Sequence, residues 1–465
     1  MEQRVDLIAL INLEGDLEVV APDGTARRRL SSGERVFHFP AWSPDGSRIV
    51  AIGGNRLRAG VFVFPDTYSM NAEYAVYEST RNAPIYLYWS PSGEHVSFIA
   101  ARVDEHSMGL HVVSAEADAE AGPAPEPLAT GRPCFWDWTP DGRHILMHVG
   151  GWDAGHSAQL AMVDPFALNG VSRTSVARPG LFQSPGIACS GRYRAFGHLT
   201  RQNEIQLVID PIADAVSGGD RRTRIALRHE GVAAMSWSPT SDELAFISPL
   251  EQMRTYYGPL RLMNAESGDV RVLTDDMVLA FFWSPDGTKI AYFTIAQAAE
   301  GMRLLLPDAV EAALAGGRMP AAGLPDFDAS DFTEEEIADA IEDAAAEAEA
   351  MPEDDLDEMA SEEDDGDEPD LWLNLWVVDI ESGEETLLVT FEPVDVFVNQ
   401  FLPFFDQYAK SHRIWSPDSD ALVLPVMRLL PGGGKLPKIC IVPASPEVGR
   451  MREVAEGVMA FWSPR

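Results

Sequence analysis

Seven tryptophans stand in one recurring local context, and their spacing constrains the fold more than anything else in the chain. They are Trp42, Trp89, Trp138, Trp237, Trp283, Trp415 and Trp462. Each ends an apolar run and opens a turn, as in PAWSPDG at Pro40–Gly46 and FFWSPDG at Phe281–Gly287. The interval from Trp138 to Trp237 is double the others. Halfway along it, GIACSGRYRAFG places Ile187 where the Trp belongs and Gly191 where the turn glycine belongs, which reads as a decayed copy. The copies then recur every 46–50 residues, except between Trp283 and Trp415. That period is in the range of propeller blades.

The turn chemistry explains the motif. Proline presets φ at the second turn position, aspartate bonds its own backbone at the third, and glycine takes the positive φ that closes a hairpin. An alternating strand follows, as in SRIVAIGG. A third strand then runs into a second turn, as in LWVVDIESGEETLLV, and a fourth completes the unit. Four antiparallel strands with an aromatic at a fixed place make one blade of a β-propeller, which buries its faces only against its neighbours. The last copy, GVMAFWSPR, supplies a single strand, and the N-terminal DLIALINL, DLEVV and ARRRL supply the three it lacks. The expectation is an all-β, eight-bladed propeller over residues 1–465, closed by pairing the two ends. Seven blades is the alternative if the decayed copy is not a blade.

With these residues in hand, the WSPDG copies resemble the WD40-like (PD40) repeats of the TolB propeller. They equally resemble those of the N-terminal propeller of prolyl-oligopeptidase and dipeptidyl peptidase IV proteins. The resemblance covers nearly the whole chain except roughly 297–370. It implies the fold and says little of function. TolB carries a signal peptide and a separate N-terminal domain, and neither is read here. The peptidases add an α/β-hydrolase domain with a G-x-S-x-G elbow, and no such motif occurs. Neither activity is therefore expected.

The formal charge of -38 argues against nucleic acid and anionic membranes as direct partners, because phosphate binding runs on Lys and Arg. Much of the excess lies between Asp326 and Asp370, where acids occur without a single base. Three distant cysteines, with no CxxC pair, suggest neither a disulfide framework nor a zinc site. No signal peptide and no membrane-length apolar run is read, so a cytoplasmic location is expected.

Strand order sorts the connections onto two faces. With strands A to D running outward from the channel, A–B and C–D turns share one face and D–A and B–C connections share the other. The long connections mostly map to the second. They include 150–159, 250–259, 429–437, an acidic B–C insertion of blade six (297–370), and an aromatic D–A insertion (395–413). A C–D loop, 211–223, maps to the first face. Within 297–370, Thr333 and Glu336 form a capping box, which predicts a helix over 334–350 before Pro352. The residues after it read as disordered.

The insertion at 395–413 crowds Phe401, Phe404, Phe405 and Tyr408 beside Gln407, Lys410, His412 and Arg413. These aromatics either plug the channel or wall a pocket. In the pocket reading Phe404, Phe405 and Tyr408 are walls and His412 and Arg413 anchors. Arg81, Trp136, Asp137 and Tyr256 come from connections of the same face and could join them. A metal site is not expected. His144 and His148 are too far apart along one strand, His148, Asp153 and His156 converge only through a loop, and His106 and His111 read as ordinary loop residues. DFDASD at 326–331 lacks the glycine of a calcium loop, and no cofactor fingerprint is present. The leading functional expectation is a non-catalytic scaffold binding a protein or peptide through the long-loop face. The alternatives are a hydrolase or lyase using His and Asp groups at the channel mouth, and a non-catalytic partner of a separately encoded peptidase.

Overall fold

The computed structural model describes residues 6–102, 107–116, 126–150, 158–167, 171–180, 184–202, 204–212, 225–228, 234–247, 257–296, 371–430 and 433–464. The expected helix at 334–350 and the rest of 297–370 lie outside them. The described strands form eight antiparallel sheets, seven of four strands and one of three. This is the expected eight-bladed propeller.

Local turn chemistry builds each A–B hairpin. In blade one the Gly46 N–H donates to the Ser43 carbonyl (2.8 Å). The Asp45 carboxylate accepts the Ser47 N–H at 3.0 Å. Gly46, Gly93, Gly142, Gly191 and Gly287 all sit at φ between +68° and +73°, the left-handed region that a Cβ disfavours. The decayed copy keeps this geometry, with the Gly191 N–H donating to the Ala188 carbonyl at 2.8 Å. Blade four is a complete blade: Gly186–Ile187, Tyr193–Leu199, Ile205–Pro211 and Ile225–Arg228 pair in that order.

The ring closes as the end sequences imply. Met459–Trp462 pairs antiparallel with Ile8–Ile11, placing Ile8 opposite Trp462 and Ile11 opposite Met459. Ile8, Leu10, Ala460 and Trp462 pack with Val423, Ile439 and Ile441 of blade seven. Closure satisfies strand edges that would otherwise recruit another chain.

Five of the seven motif tryptophans stitch neighbouring blades through their indole N–H groups, and the buried indoles of Trp237 and Trp462 make no such bond among the described residues. Trp42 donates to the Phe461 carbonyl (3.1 Å), Trp89 to Ala41 (2.9 Å), Trp283 to Ser236 (3.1 Å) and Trp415 to Phe282 (3.0 Å). Each acceptor immediately precedes the motif Trp of the previous blade. Blade three uses a relay. Trp136 and Trp138 both donate to Ser97 Oγ at 2.9 Å, and Ser97 donates at 3.0 Å to the carbonyl of Tyr88, the residue before Trp89. Blade four has no indole, and there Asp137 Oδ2 accepts the Ile187 N–H at 2.8 Å.

Blade seven departs from the pattern. Its innermost strand is split. Pro393 bridges Val426 at one end, and Trp415 bridges Leu422 at the other. The Met427 N–H bonds the Glu392 carbonyl and the Val423 N–H bonds the Ile414 carbonyl. The chain between these half-strands leaves the sheet, so the aromatic insertion departs from within strand A.

Candidate functional site

The excursion crosses the channel as a succession of short helical turns: a π-type turn at Phe397–Phe401, a 3-10 turn at Leu402–Phe404 and one α turn at Phe405–Tyr408. Pro403 permits the sharp start of the middle turn, because its missing N–H is one that a first turn leaves unpaired. Its aromatic rings meet the innermost strands of blades around the ring. Phe401 stacks on Phe282 of blade six (centroids 5.5 Å) and touches Phe461 of blade eight (5.5 Å). Phe405 meets Phe281 edge-on (4.9 Å). Tyr408 stacks on Phe39 of blade one (4.8 Å) and meets Tyr86 of blade two edge-on (5.0 Å).

Polar groups carry the remaining contacts. Gln407 uses both ends of its amide. Its Nε2 donates to the Trp136 carbonyl (3.0 Å) and toward Tyr86 Oη (3.4 Å). Its Oε1 accepts the Trp136 N–H (3.3 Å) and the Ser184 hydroxyl (3.2 Å). Four partners use the full capacity of the amide. Lys410 reaches blades three and four, donating to the Pro185 carbonyl (2.5 Å) and Ser184 Oγ (3.1 Å), with Asp137 Oδ2 at 3.6 Å. Burial lowers the Lys410 pKa and raises that of Asp137, and each charge opposes the other's shift. Burial also pushes the Asp406 carboxyl up to about 6, against the pull of Lys410.

His412 is held between Ser411 and blade one. Its Nε2–H donates to the Phe39 carbonyl (3.2 Å), so Nδ1 accepts the Ser411 hydroxyl (2.5 Å). Its ring meets Phe461 edge-on at 4.5 Å. Only 1% of it is exposed, and burial lowers its pKa to about 3. The unfolded chain protonates this imidazole near pH 6.5 and the folded chain does not, so its contribution to stability is full above pH 6.5 and is lost as pH falls toward 3. At pH 5 the loss is about 2 kcal/mol. Wild-type protein should therefore lose about 2 kcal/mol more than His412→Phe between pH 7.5 and pH 5, read by urea unfolding at both. Equal losses would contradict this placement of the imidazole.

The other sequence candidates fall in several places. Phe405 and Tyr408 are buried with His412, while Phe404 is partly exposed and Arg413 and Arg81 are exposed. Trp136 is fully buried and Asp137 partly buried. Tyr256 lies outside the described residues, as do Asp153, His156 and His106. His148 is buried in strand B of blade three, and His111 stacks on Phe98 (4.9 Å). Among the described residues no three His, Cys, Asp or Glu side chains form a metal-binding group, and no helix is long and apolar enough to cross a membrane. The sequence marked Gln407 and Lys410 only as polar neighbours, and it did not mark Tyr86 or Ser184. Their partners come from distant blades, which leaves no local signal.

No protein-family model matches this chain, and no curated protein matches it in sequence. Solved structures do resemble it. A eukaryotic initiation factor shares 11% identity over 99% of both chains, with a TM-score of 0.47. A putative TolB from Agrobacterium tumefaciens shares 16% identity over 59% of this chain and 90% of its own, with a TM-score of 0.32. A puromycin-hydrolyzing peptidase from Mycobacterium tuberculosis shares 12% identity over 65% of this chain and 51% of its own, with a TM-score of 0.38. The likeness is one of fold. These neighbours include enzymes and proteins of other kinds, so any functional reading must come from this chain's own residues.

Proposed function

We propose that this chain is a non-catalytic propeller scaffold that binds a protein or peptide through the face carrying its D–A and B–C connections. The observation that carries the reading is the filled channel. The excursion between Pro393 and Ile414 packs its rings on Phe39, Tyr86, Phe281, Phe282 and Phe461. Gln407 spends its polar groups on the barrel wall. With the centre occupied, the surrounding loops supply the surface for a partner, as loops on a rigid frame commonly do. The reading takes the cytoplasm as the location and 297–370 as a solubilising insertion.

Selective blocking tests it. Cys189 is the exposed cysteine and Cys134 and Cys440 are buried, so a Cys189→Ser background lets new thiols be labelled singly. Leu57→Cys with Gln202→Cys puts polyethylene-glycol maleimide on the proposed face, and Glu94→Cys puts it on the other. Partner capture from the native host should be lost with the first labels and kept with the second. The reverse pattern would sink the reading.

A hydrolase at the same mouth is the second reading, and the 2.5 Å Ser411–His412 contact is what favours it. It predicts that a fluorophosphonate probe labels Ser411 and that His412→Ala abolishes the labelling. An unlabelled Ser411 in folded protein would count against it.

A further inference from the structure

Seven of the eleven tryptophans are motif residues, and Trp136 shares the Ser97 relay. Trp372 and Trp376 belong to neither group. They stand four apart at the start of the third strand of blade six, Leu373–Asp379, where no turn and no blade-to-blade bond calls for an indole. Alternate residues of a strand share a face. Leu373, Leu375 and Val377 are buried on one side. Trp372, Asn374 and Trp376 take the other, with Trp372 42% exposed and the next two half-buried. The ladder carries this face across the blade. Asn374 lies opposite Thr294 and Thr390, and Trp376 lies opposite Tyr292 and the exposed Leu387.

The face looks toward blade five. Glu385 Oε2 accepts the Tyr292 hydroxyl (2.9 Å) and the hydroxyl of Thr274, on the outer strand of blade five (3.4 Å). Thr274 Oγ1 in turn accepts the Asp276 N–H (3.3 Å). Aromatic rings on blade six therefore stand beside carboxylates, and Asp275, Asp276 and Glu385 are exposed. The one base of that outer strand, Arg271, donates to the Ile380 carbonyl at the opposite rim (2.6 Å). The full sequence keeps the sign. The connection 248–256 adds one acid, Glu251, and one base, Arg254, and 297–370 adds acids in large excess over bases.

We propose that this flank docks a proline-rich segment of a partner protein that ends in lysine or arginine. Such segments bind as preformed polyproline II helices on aromatic side chains. The helix rises about 3.1 Å per residue, so prolines four apart span about 12 Å. Positions 372 and 376 of an extended strand are about 13 Å apart. Prolyl carbonyls have no partner within their own helix and accept from the Trp372 indole N–H and from Asn374. Asn374 uses Oδ1 to accept the Thr390 hydroxyl (2.6 Å), so its Nδ2 remains a donor. The basic end lies on Asp275 and Asp276. A stiff helix loses little conformational freedom on binding, so an open surface is sufficient. The site is on the flank between two blades, and the proposal goes beyond the face reading above without depending on it.

Fluorescence anisotropy on the full chain tests it, using labelled polyproline peptides ending in Arg-Arg or in Glu-Glu and a Gly-Ser peptide ending in Arg-Arg. The polyproline Arg-Arg peptide should bind most tightly and weaken as salt is raised. Trp372→Ala should weaken it about tenfold with an unchanged urea midpoint, and Asp275→Asn/Asp276→Asn should weaken it and flatten its salt dependence. Val448→Ala, exposed on blade seven, should change nothing. Equal binding of the Gly-Ser peptide, tighter binding of the Glu-Glu peptide, no measurable binding of the Arg-Arg polyproline, or indifference to Trp372→Ala would each overturn the proposal. Two other occupants are separated by the same assay. The Ala296 N–H donates to the Trp372 carbonyl (2.9 Å), so these strand ends are paired and a short glycine linker can replace 297–370. Binding seen only in that shortened chain would assign the flank to the chain's own segment. Self-association abolished by Trp372→Ala would assign it to a second copy. Either result overturns the proposal.

Discussion

Phe401→Ala should cost about 3–5 kcal/mol of stability, the usual cost of deleting a fully packed phenylalanine. The residue is 2% exposed and lies at the centre of the excursion. Its ring stacks on Phe282, on Phe397 (5.4 Å) and near Tyr408 (5.2 Å), and it reaches Phe461 on the closing strand. Truncation opens a cavity among side chains held by blades six and eight and by the excursion itself, and rigid strands cannot collapse to fill it. The measure is the urea midpoint at constant m-value. A loss below about 1 kcal/mol would mean that the excursion packs loosely on the barrel. Phe404→Ala, at a partly exposed neighbour, should cost much less.

Ending the chain at Gly457 should have a larger effect still. It removes Met459, Phe461 and Trp462, each under 5% exposed. Burial of side chains this size is worth about 1.5–3 kcal/mol apiece. It also removes the ladder to Ile8–Ile11 and the bond from the Ser463 N–H to the Leu7 carbonyl (2.8 Å). Blade eight would keep three strands with an open inner edge, and the Trp42 indole would lose its Phe461 acceptor. The expected result is loss of the cooperative unfolding transition and a chain prone to association. A synthetic peptide of residues 458–465 should restore part of the transition. An unchanged melting curve for the shortened chain would refute closure by these strands.

The parts of the fold that were legible are those with a local cause. A turn needs proline, aspartate and glycine at fixed offsets, so Pro44, Asp45 and Gly46 announce it without reference to the rest of the chain. The decayed copy remained readable because Gly191 survived where the tryptophan did not. The indole bonds were not legible, because their acceptors are backbone carbonyls of another blade, and any residue can supply a carbonyl. The excursion was half legible. Its aromatic crowding was plain, and a plug was one of two readings. Which side chains face inward was not, because Phe404 and Phe405 are adjacent and only the second turns toward Phe281. The split of strand A in blade seven also left no mark, since Pro393 and Ile414 become neighbours of one strand only after the fold forms.

The central claim is that the chain fills its own channel and so leaves function to the surrounding loops. Amide hydrogen exchange of the free protein, followed on peptides spanning 397–412, tests it most directly. The Ala409 and His412 N–H groups donate to the Phe405 and Tyr408 carbonyls at 2.7 and 2.8 Å, inside the ring of blades. Protection comparable to that of strands such as Ile49–Gly54 is the predicted result. Exchange as fast as in an exposed loop would mean an open channel, and it would move the search for function to the channel itself.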